Sequence, residues 1–454
     1  MTKNQPPQIT RRLAALGNGL LVGVLVLLPF HAFLTTWLGS TIGLLDATRA
    51  WKEMILLLAG VIALAAIATD TSRRWRQLLH SGPFLWAVAF GCVVLAGTLM
   101  TFSSGQVTTE AVLYGTLIHL RVVAALGLAA IFALYNDMLR KYWRRILFWP
   151  SAVVVVFGLL QIFVLPYDFL KHFGYGPDTI PAFQTIDNKL EFQRIQSTLR
   201  GANPLGAYLV LVITGLLVHL RKARRDYAAI ALLLGSLTVL FFTYSRSAWL
   251  GLACSVLVLL VIYGRRYVTP RVLVMGAASL LVLLAGVWWQ RDNDFLQNAL
   301  FHSDESSVSA ESSNAERSEA LSSSAQYVLD EPLGGGVGSA GPASLRNDAA
   351  PARIAENYYL QTAQELGWLG FVVFAGLNVS LGWWLWRQQY DALAIVLFAS
   401  LAGLTLINMV SHAWADDTLS ILWWGLSGAV LGRGILNEER TKLIHHEEKT
   451  KKRN

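Results

Sequence analysis

The chain has 454 residues, of which 54% are hydrophobic and 15% charged, and its mean hydropathy is +0.46. Soluble globular proteins carry roughly a quarter of charged residues, so this composition excludes an ordinary soluble domain. The 37 basic and 29 acidic residues leave a formal net charge of +8, which has to be explained within a membrane setting.

Apolar runs of about 18 residues or more, each long enough to cross a bilayer core, recur along the chain. Backbone groups in lipid must bond internally, so these runs are helices unless they close a barrel. Barrel strands are shorter and alternate, and these runs do neither. Twelve spans are predicted, near 17–38, 53–69, 83–101, 111–135, 147–165, 204–220, 227–244, 247–263, 271–289, 367–386, 391–411 and 418–434. Arg11 and Arg12 precede the first as they would a secretion signal, but its apolar stretch is too long and no small-residue cleavage site follows. It is read as a retained helix. The expected fold is therefore an all-α integral membrane protein of about twelve transmembrane helices.

Lysine and arginine set the orientation. With the N-terminus in the cytoplasm, inside segments carry 25 basic residues and outside segments 10. Both termini are placed inside, and the net charge mostly reflects topology and attraction to anionic headgroups. The chain then divides into helices one to nine (1–289, with an outer loop at 166–203), a large extracytoplasmic loop (290–366), helices ten to twelve (367–434) and a basic cytoplasmic tail (435–454). The tail is expected to meet membrane lipids, with no nucleic-acid partner. Cys92 and Cys254 both fall inside spans, so neither a disulfide framework nor a cysteine metal cluster is expected. No phosphate loop of the G-x-x-x-x-G-K-[ST] kind is present, which excludes an ATP-driven pump.

Polar residues concentrate in the two outer loops. In the second, the helical spacing of Ala320, Leu321, Ala325, Val328 and Leu329 predicts a helix stopping at Pro332. A glycine-rich turn follows, "PLGGGVGSAGPAS", then a helix running into the tenth span. This arrangement suggests a lid over a membrane-facing cavity. Arginines gather on the same side: Arg194 and Arg200 before the sixth span, Arg246 at the tip between the seventh and eighth, Arg317 on the loop helix and Arg121 within the fourth span. Arg121 is the costliest, because intramembrane charge is expensive and by default functional. Its only acidic candidates are Glu53 and Glu110, if they reach down from the outer ends of their helices. Each arginine also has a plainer reading, as a loop ion pair or an interface anchor. Convergence favours a shared anionic ligand, since several guanidinium forks suit the oxygens of a diphosphate.

Four stretches, "RIQSTLRGANPLGAYL", "TYSRSAWLGL", "RSEALSSSAQYVLDEPLGGGVGSAGPAS" and "ENYYLQTAQELGWLG", resemble in order the motifs of the O-antigen ligase and O-antigen polymerase superfamily. The resemblance covers roughly residues 194–434. It implies a GT-C-like glycosyltransferase of the bacterial inner membrane that needs no metal or other cofactor. The donor would be an undecaprenyl-diphosphate-linked glycan and the acceptor a glycan or lipid. By the same resemblance Arg200 and Arg246 would hold the diphosphate, with Arg194, Arg121 and Arg317 as supporting cations. Ligases of this group carry His-Asn before the "YL" of the loop helix, the histidine being the proposed base. Here Glu356 and Asn357 stand in those places. Glu356 is thus a candidate base, with Asn357 and Tyr359 beside it in the substrate site. His412, near Asp416 and Asp417 in the last outer turn, is a second candidate. The competing class is a transporter or flippase of lipid-linked glycans, for which broken helices and internal repeats would be expected.

The charge bias predicts that a cysteine placed at Ser323 in a Cys92- and Cys254-free background reacts with a membrane-impermeant thiol reagent from the outer face. Labelling that requires the inner membrane to be permeabilised would reverse the topology.

Overall fold

The computed structural model describes residues 6–186, 189–264 and 310–451, with side chains from Glu319 to Asn437 in the last segment. It is an all-α integral membrane protein. Among the described residues nine helices are long and apolar enough to cross a bilayer, and Tyr227–Phe242 and Ala392–Asn408 are apolar but shorter. These match every predicted span except 271–289, which lies outside the described residues. Two helices begin well before their predicted spans, α1 at Gln8 and the fifth-span helix at Met138. Their first turns hold Arg11, Arg12, Arg140, Lys141, Arg144 and Arg145, which are good helix formers that a hydropathy window discounts.

The first predicted span is two helices. α1 (Gln8–Leu27) gives way to a 3-10 turn at Leu28–Phe30, and α2 (His31–Ile42) follows. Pro29 supplies no N–H to continue the ladder, and its carbonyl accepts the Thr198 hydroxyl at 2.8 Å. After α3 (Leu45–Arg49) come α4 (Trp51–Thr69), α5 (Gly82–Ser104), α6 (Thr109–Ala133), α7 (Met138–Phe163), α8 (Ala202–Lys222), α9 (Tyr227–Phe242) and α10 (Arg246–Gly264). The segment beyond 309 contains α11 (Ala310–Asp330), the short α12 (Gly341–Ser344), α13 (Tyr358–Arg387), α14 (Ala392–Asn408) and α15 (Asp417–Lys451).

The centre of the bundle is the pairing of α6 with α15. A Cβ at Gly428 or Gly432 would lie 2.2 Å from the carbonyl oxygen of Leu126 or Ala130. These two glycines, four residues apart, let the helix backbones touch, as small residues do where no hydrophobic drive separates helix from lipid. Residues between α7 and α8 form a small departure from all-helical structure: a two-stranded antiparallel hairpin of β1 (Gln184–Ile186) and β2 (Lys189–Arg194). Ile195 N–H donates to the Phe242 carbonyl at 3.0 Å, which fastens the hairpin to the end of α9.

The glycine-rich turn is not a lid. It inserts between α5, α6 and α13, about one to two helical turns below the ends of α5 and α6 that face it. Val337 N–H donates to Thr101 Oγ1 at 2.9 Å, and Gly338 N–H to Glu365 Oε1 at 3.2 Å. Val337 is fully buried, and a Cβ on Gly338 (φ 86°) would lie 2.4 Å from the Ala111 carbonyl oxygen. Irregular backbone survives at this depth only where protein surrounds it and satisfies its polar groups. Glu365 ties the turn to the bundle: its second oxygen bonds His119 Nε2, whose Nδ1 faces the Tyr358 hydroxyl at 3.1 Å. The tenth span begins just past this point, where Gly367 (φ 67°, ψ −171°) interrupts α13 against the backbone of Leu333.

Glu365→Ala leaves His119 and Gly338 buried without their acceptor and is expected to cost about 3–5 kcal/mol. Glu365→Gln keeps an acceptor for Gly338 and should cost less. Thermal unfolding of the purified protein in detergent measures both, and equal, negligible losses would show that the carboxylate does not pin the turn.

Candidate functional site

Residues from the starts of α2, α4, α6, α8, α10 and α15, with Glu356 just before α13, line three adjoining cavities at one end of the bundle. The first, of about 520 Å³, lies between the hairpin and the start of α8 and holds Gln184, Thr185, Arg194, Arg200 and Asn203. Among the described residues two guanidiniums line it and no carboxylate does. α8 begins here after Gly201, which has no side chain to cap it, and Ala202 N–H donates to Gln184 Oε1 at 3.2 Å. A helix N-terminus joined to two arginines is a strong setting for an anion. Arg194 is fixed in place: its Nε donates to the Thr243 carbonyl at 3.0 Å and its Nη2 to Asn203 Oδ1 at 2.6 Å.

Arg194 is also a wall of the second cavity, of about 370 Å³, where it meets Tyr244, Arg246, Leu321 and Glu356. Three of the four non-glycine residues with positive φ among the described residues belong to the segments that build this end: Ser197 (51°), Tyr244 (50°) and Glu356 (46°). Left-handed backbone costs a side-chain-bearing residue about 1–2 kcal/mol, and such strain clusters at functional sites. At Glu356 it lets Asn357 cap α13, with Asn357 Oδ1 accepting from Tyr359 N at 2.9 Å and Leu360 N at 3.0 Å. Asn357 Nδ2 donates to the Met409 carbonyl at 2.9 Å, and Tyr358 N–H to the Ser411 carbonyl at 3.3 Å. Those bonds draw Glu356 toward His412. His412 has a buried Nδ1 without a hydrogen-bond partner among the described residues. Burial lowers its pKa, the negative charge of Glu356 raises it and the positive charge of Arg200 lowers it further. The ring is therefore neutral near pH 7 and able to accept a proton.

Arg200 separates the first cavity from a third, of about 420 Å³, lined also by Arg49, Glu110, Tyr114, Arg346 and Asp416. Its floor is a buried charge network. Arg121 bonds Glu53 Oε1 through Nη2 at 3.1 Å and Asp417 Oδ1 through Nη1 at 2.5 Å. Lys52 Nζ lies 2.8 Å from Asp417 Oδ2 and 3.2 Å from Glu53 Oε2. His31 Nδ1 accepts from Trp51 Nε1 at 2.9 Å, and its Nε2 lies 3.2 Å from Asp417 Oδ2 and 3.1 Å from Lys52 Nζ.

The structure thus gathers Arg194, Arg200, Arg246, Glu356 and His412 at one end of the bundle. It engages Arg121 with two carboxylates, of which Glu53 was foreseen and Asp417 was not foreseen as its partner. Asn357 serves as the helix cap, and Tyr359 packs its ring on Phe374, centroids 5.9 Å apart. The side chain of Arg317 lies outside the described residues. Lys52, His31, Tyr114, Arg49 and Arg346 were missed. The signal lay in "RAWKE", where basic and acidic residues crowd the start of an apolar run.

Residues 228–375 match the family described as O-Antigen ligase. The match covers Arg246, Glu356 and the inserted turn, and supports the O-antigen ligase and polymerase superfamily; Arg194, Arg200 and His412 fall outside it. No curated protein matches the chain.

Asp416 provides a pH test. Burial, then the adjacent Asp417, push its carboxyl up to about 6, against the Leu419 N–H and the cations Arg200 and Arg121. The folded state therefore binds this proton more tightly than the unfolded chain. The stabilisation is fully present below the unfolded value near 4 and is lost as pH rises through 6. Melting curves from pH 4 to 7.5 should show wild type losing up to roughly 3 kcal/mol relative to Asp416→Asn. Parallel profiles would show that this carboxyl is not perturbed.

Proposed function

From the family match of the 228–375 stretch, we propose that the protein is a GT-C-like glycosyltransferase of the bacterial inner membrane. It transfers or polymerises glycan from an undecaprenyl-diphosphate-linked donor on the outer face, and both its termini lie in the cytoplasm. The observation that carries this reading is the row Arg246, Arg194, Arg200, in which each neighbouring pair shares a cavity and, among the described residues, the charged walls of the cavity at the start of α8 are both cations.

The chemistry follows from the donor. A glycosyl diphosphate is already activated, so the barrier is set by charge on the departing diphosphate and by the proton of the incoming hydroxyl. The bond from the anomeric carbon to the diphosphate oxygen breaks with its electron pair leaving on the diphosphate. Arg194 and Arg200, with the start of α8, meet that charge on one side and Arg246 on the other. Preorganised donors of this kind stabilise developing negative charge without reorganising. The acceptor oxygen bonds to the anomeric carbon and its proton passes to a general base. Glu356 is the base in this reading, because it shares the cavity of Arg246 and is held there by strained backbone. The neutral His412 beside it is the second candidate.

Arg200→Ala and Arg246→Ala should each lose about 1.5–3 kcal/mol of donor binding, and transfer by a larger factor, while the protein still accumulates. Lysine should restore only part, since it lacks the fork. Transfer from a lipid-linked glycan in proteoliposomes reads the effect, and normal rates in both alanine variants would refute the diphosphate site. In the same assay Glu356→Gln should lose most turnover with donor affinity intact, and Glu356→His should keep part. Near-normal turnover in Glu356→Gln beside a collapse in His412→Ala would move the proton acceptor to His412.

A further inference from the structure

We infer that the third cavity is a second anion site, in which Arg49 and Arg346 hold a phosphate or carboxylate carried by the acceptor glycan. The inference rests on the donor reading above, because it places this site on the far side of Arg200 from the diphosphate.

The floor and the rim of this cavity differ in how their charges are held. On the floor, Glu53 and Asp417 have side chains only 15% and 14% exposed and are fully engaged with Lys52 and Arg121. Among the described residues Lys52 and Arg121 answer both carboxylates, and His31 adds to Asp417. On the rim, the partner of Arg49 is Asp46 at 3.5 Å, whose side chain is 88% exposed. The partner of Arg346 is Glu110, 68% exposed. Ion pairs so open to solvent contribute little and exchange readily.

The rim cations also crowd one another. The Arg346 guanidinium lies 4.4 Å from the centroid of the Tyr114 ring, and Arg200 Nη1 lies 3.4 Å from the hydroxyl of the same residue. The Arg49 guanidinium is disfavoured first by burial and then by repulsion from Arg200, with Arg346 adding to it. An anion bound among the three would relieve that repulsion and displace two loosely held carboxylates. Guanidinium forks match the oxygens of phosphate and carboxylate alike. A third cation shared with the donor cavity puts this anion one side chain away from the leaving group, where an acceptor has to lie.

The test uses the full chain in nanodiscs of phosphatidylcholine, saturated with farnesyl diphosphate, and titrates glucose 6-phosphate, glucuronate and glucose by calorimetry. Wild type should bind one or both charged sugars and not glucose. Arg49→Ala/Arg346→Ala should weaken that binding by about tenfold or more, the scale of losing charge-assisted bonds, and leave farnesyl diphosphate affinity unchanged. Asp46→Asn/Glu110→Gln should strengthen it, a gain that a merely structural role for these pairs does not predict. Glucose binding as well as the charged sugars, an unchanged double-arginine variant, or mutually exclusive binding of farnesyl diphosphate and glucose 6-phosphate would each overturn the inference. So would loss of the sugar site when phosphatidylglycerol is added to the disc, which would make the ligand a lipid headgroup. Failure of the donor reading registers separately, as undiminished farnesyl diphosphate affinity in Arg200→Ala.

Discussion

A guanidinium inside a membrane bundle has to be answered by carboxylates, and in this chain they come from two different helices. Arg121 of α6 is met by Glu53 of α4 and Asp417 of α15, and Asp417 is met in turn by Lys52 and His31. Removing one partner from such a group leaves an uncompensated buried charge, which is far costlier than the net worth of the pair. The network therefore sets where α2, α4, α6 and α15 stand relative to one another. Below it the glycines of α15 bring its backbone onto α6; above it the cavities open. The end of the bundle that carries the candidate site is built on this floor.

Much of the architecture was legible in the sequence because lipid imposes a length and a composition on every span. The breaks were harder to read. Pro29 lies within an apolar run, and nothing local says that Thr198 will take its carbonyl. The glycine-rich turn was visible as ordered, yet its direction was read wrongly, because burial of a turn depends on acceptors distant in sequence. Thr101 and Glu365 are 236 and 27 residues from the amides they accept.

For the site, residue type was a better guide than pairing. Arg194, Arg200 and Arg246 were marked by charge on one side of the membrane, Glu356 by the family resemblance alone and His412 by its place in the last outer turn, and the five lie at one end of the bundle. What spacing could not give was the division of labour among arginines that look alike. Arg121 is spent on the floor and Arg194 is tied to Thr243 and Asn203, whereas the described hydrogen bond of Arg200 is a long one to Tyr114. The positive φ values of Ser197, Tyr244 and Glu356 were equally hidden, since none is a glycine or an asparagine that would advertise a left-handed turn.

Arg194 is a wall of two cavities and Arg200 of two, so the three spaces are joined through side chains they hold in common. A guanidinium drawn toward one occupant is drawn away from the next space, and its charge is partly neutralised for both. Occupancy in adjacent cavities is therefore linked in free energy. Linkage is reciprocal: whatever factor a ligand in one space imposes on the affinity of its neighbour, the neighbour returns in full. Two substrates meeting here would not bind as independent guests, and the order in which they arrive could change the rate of assembly without changing its equilibrium.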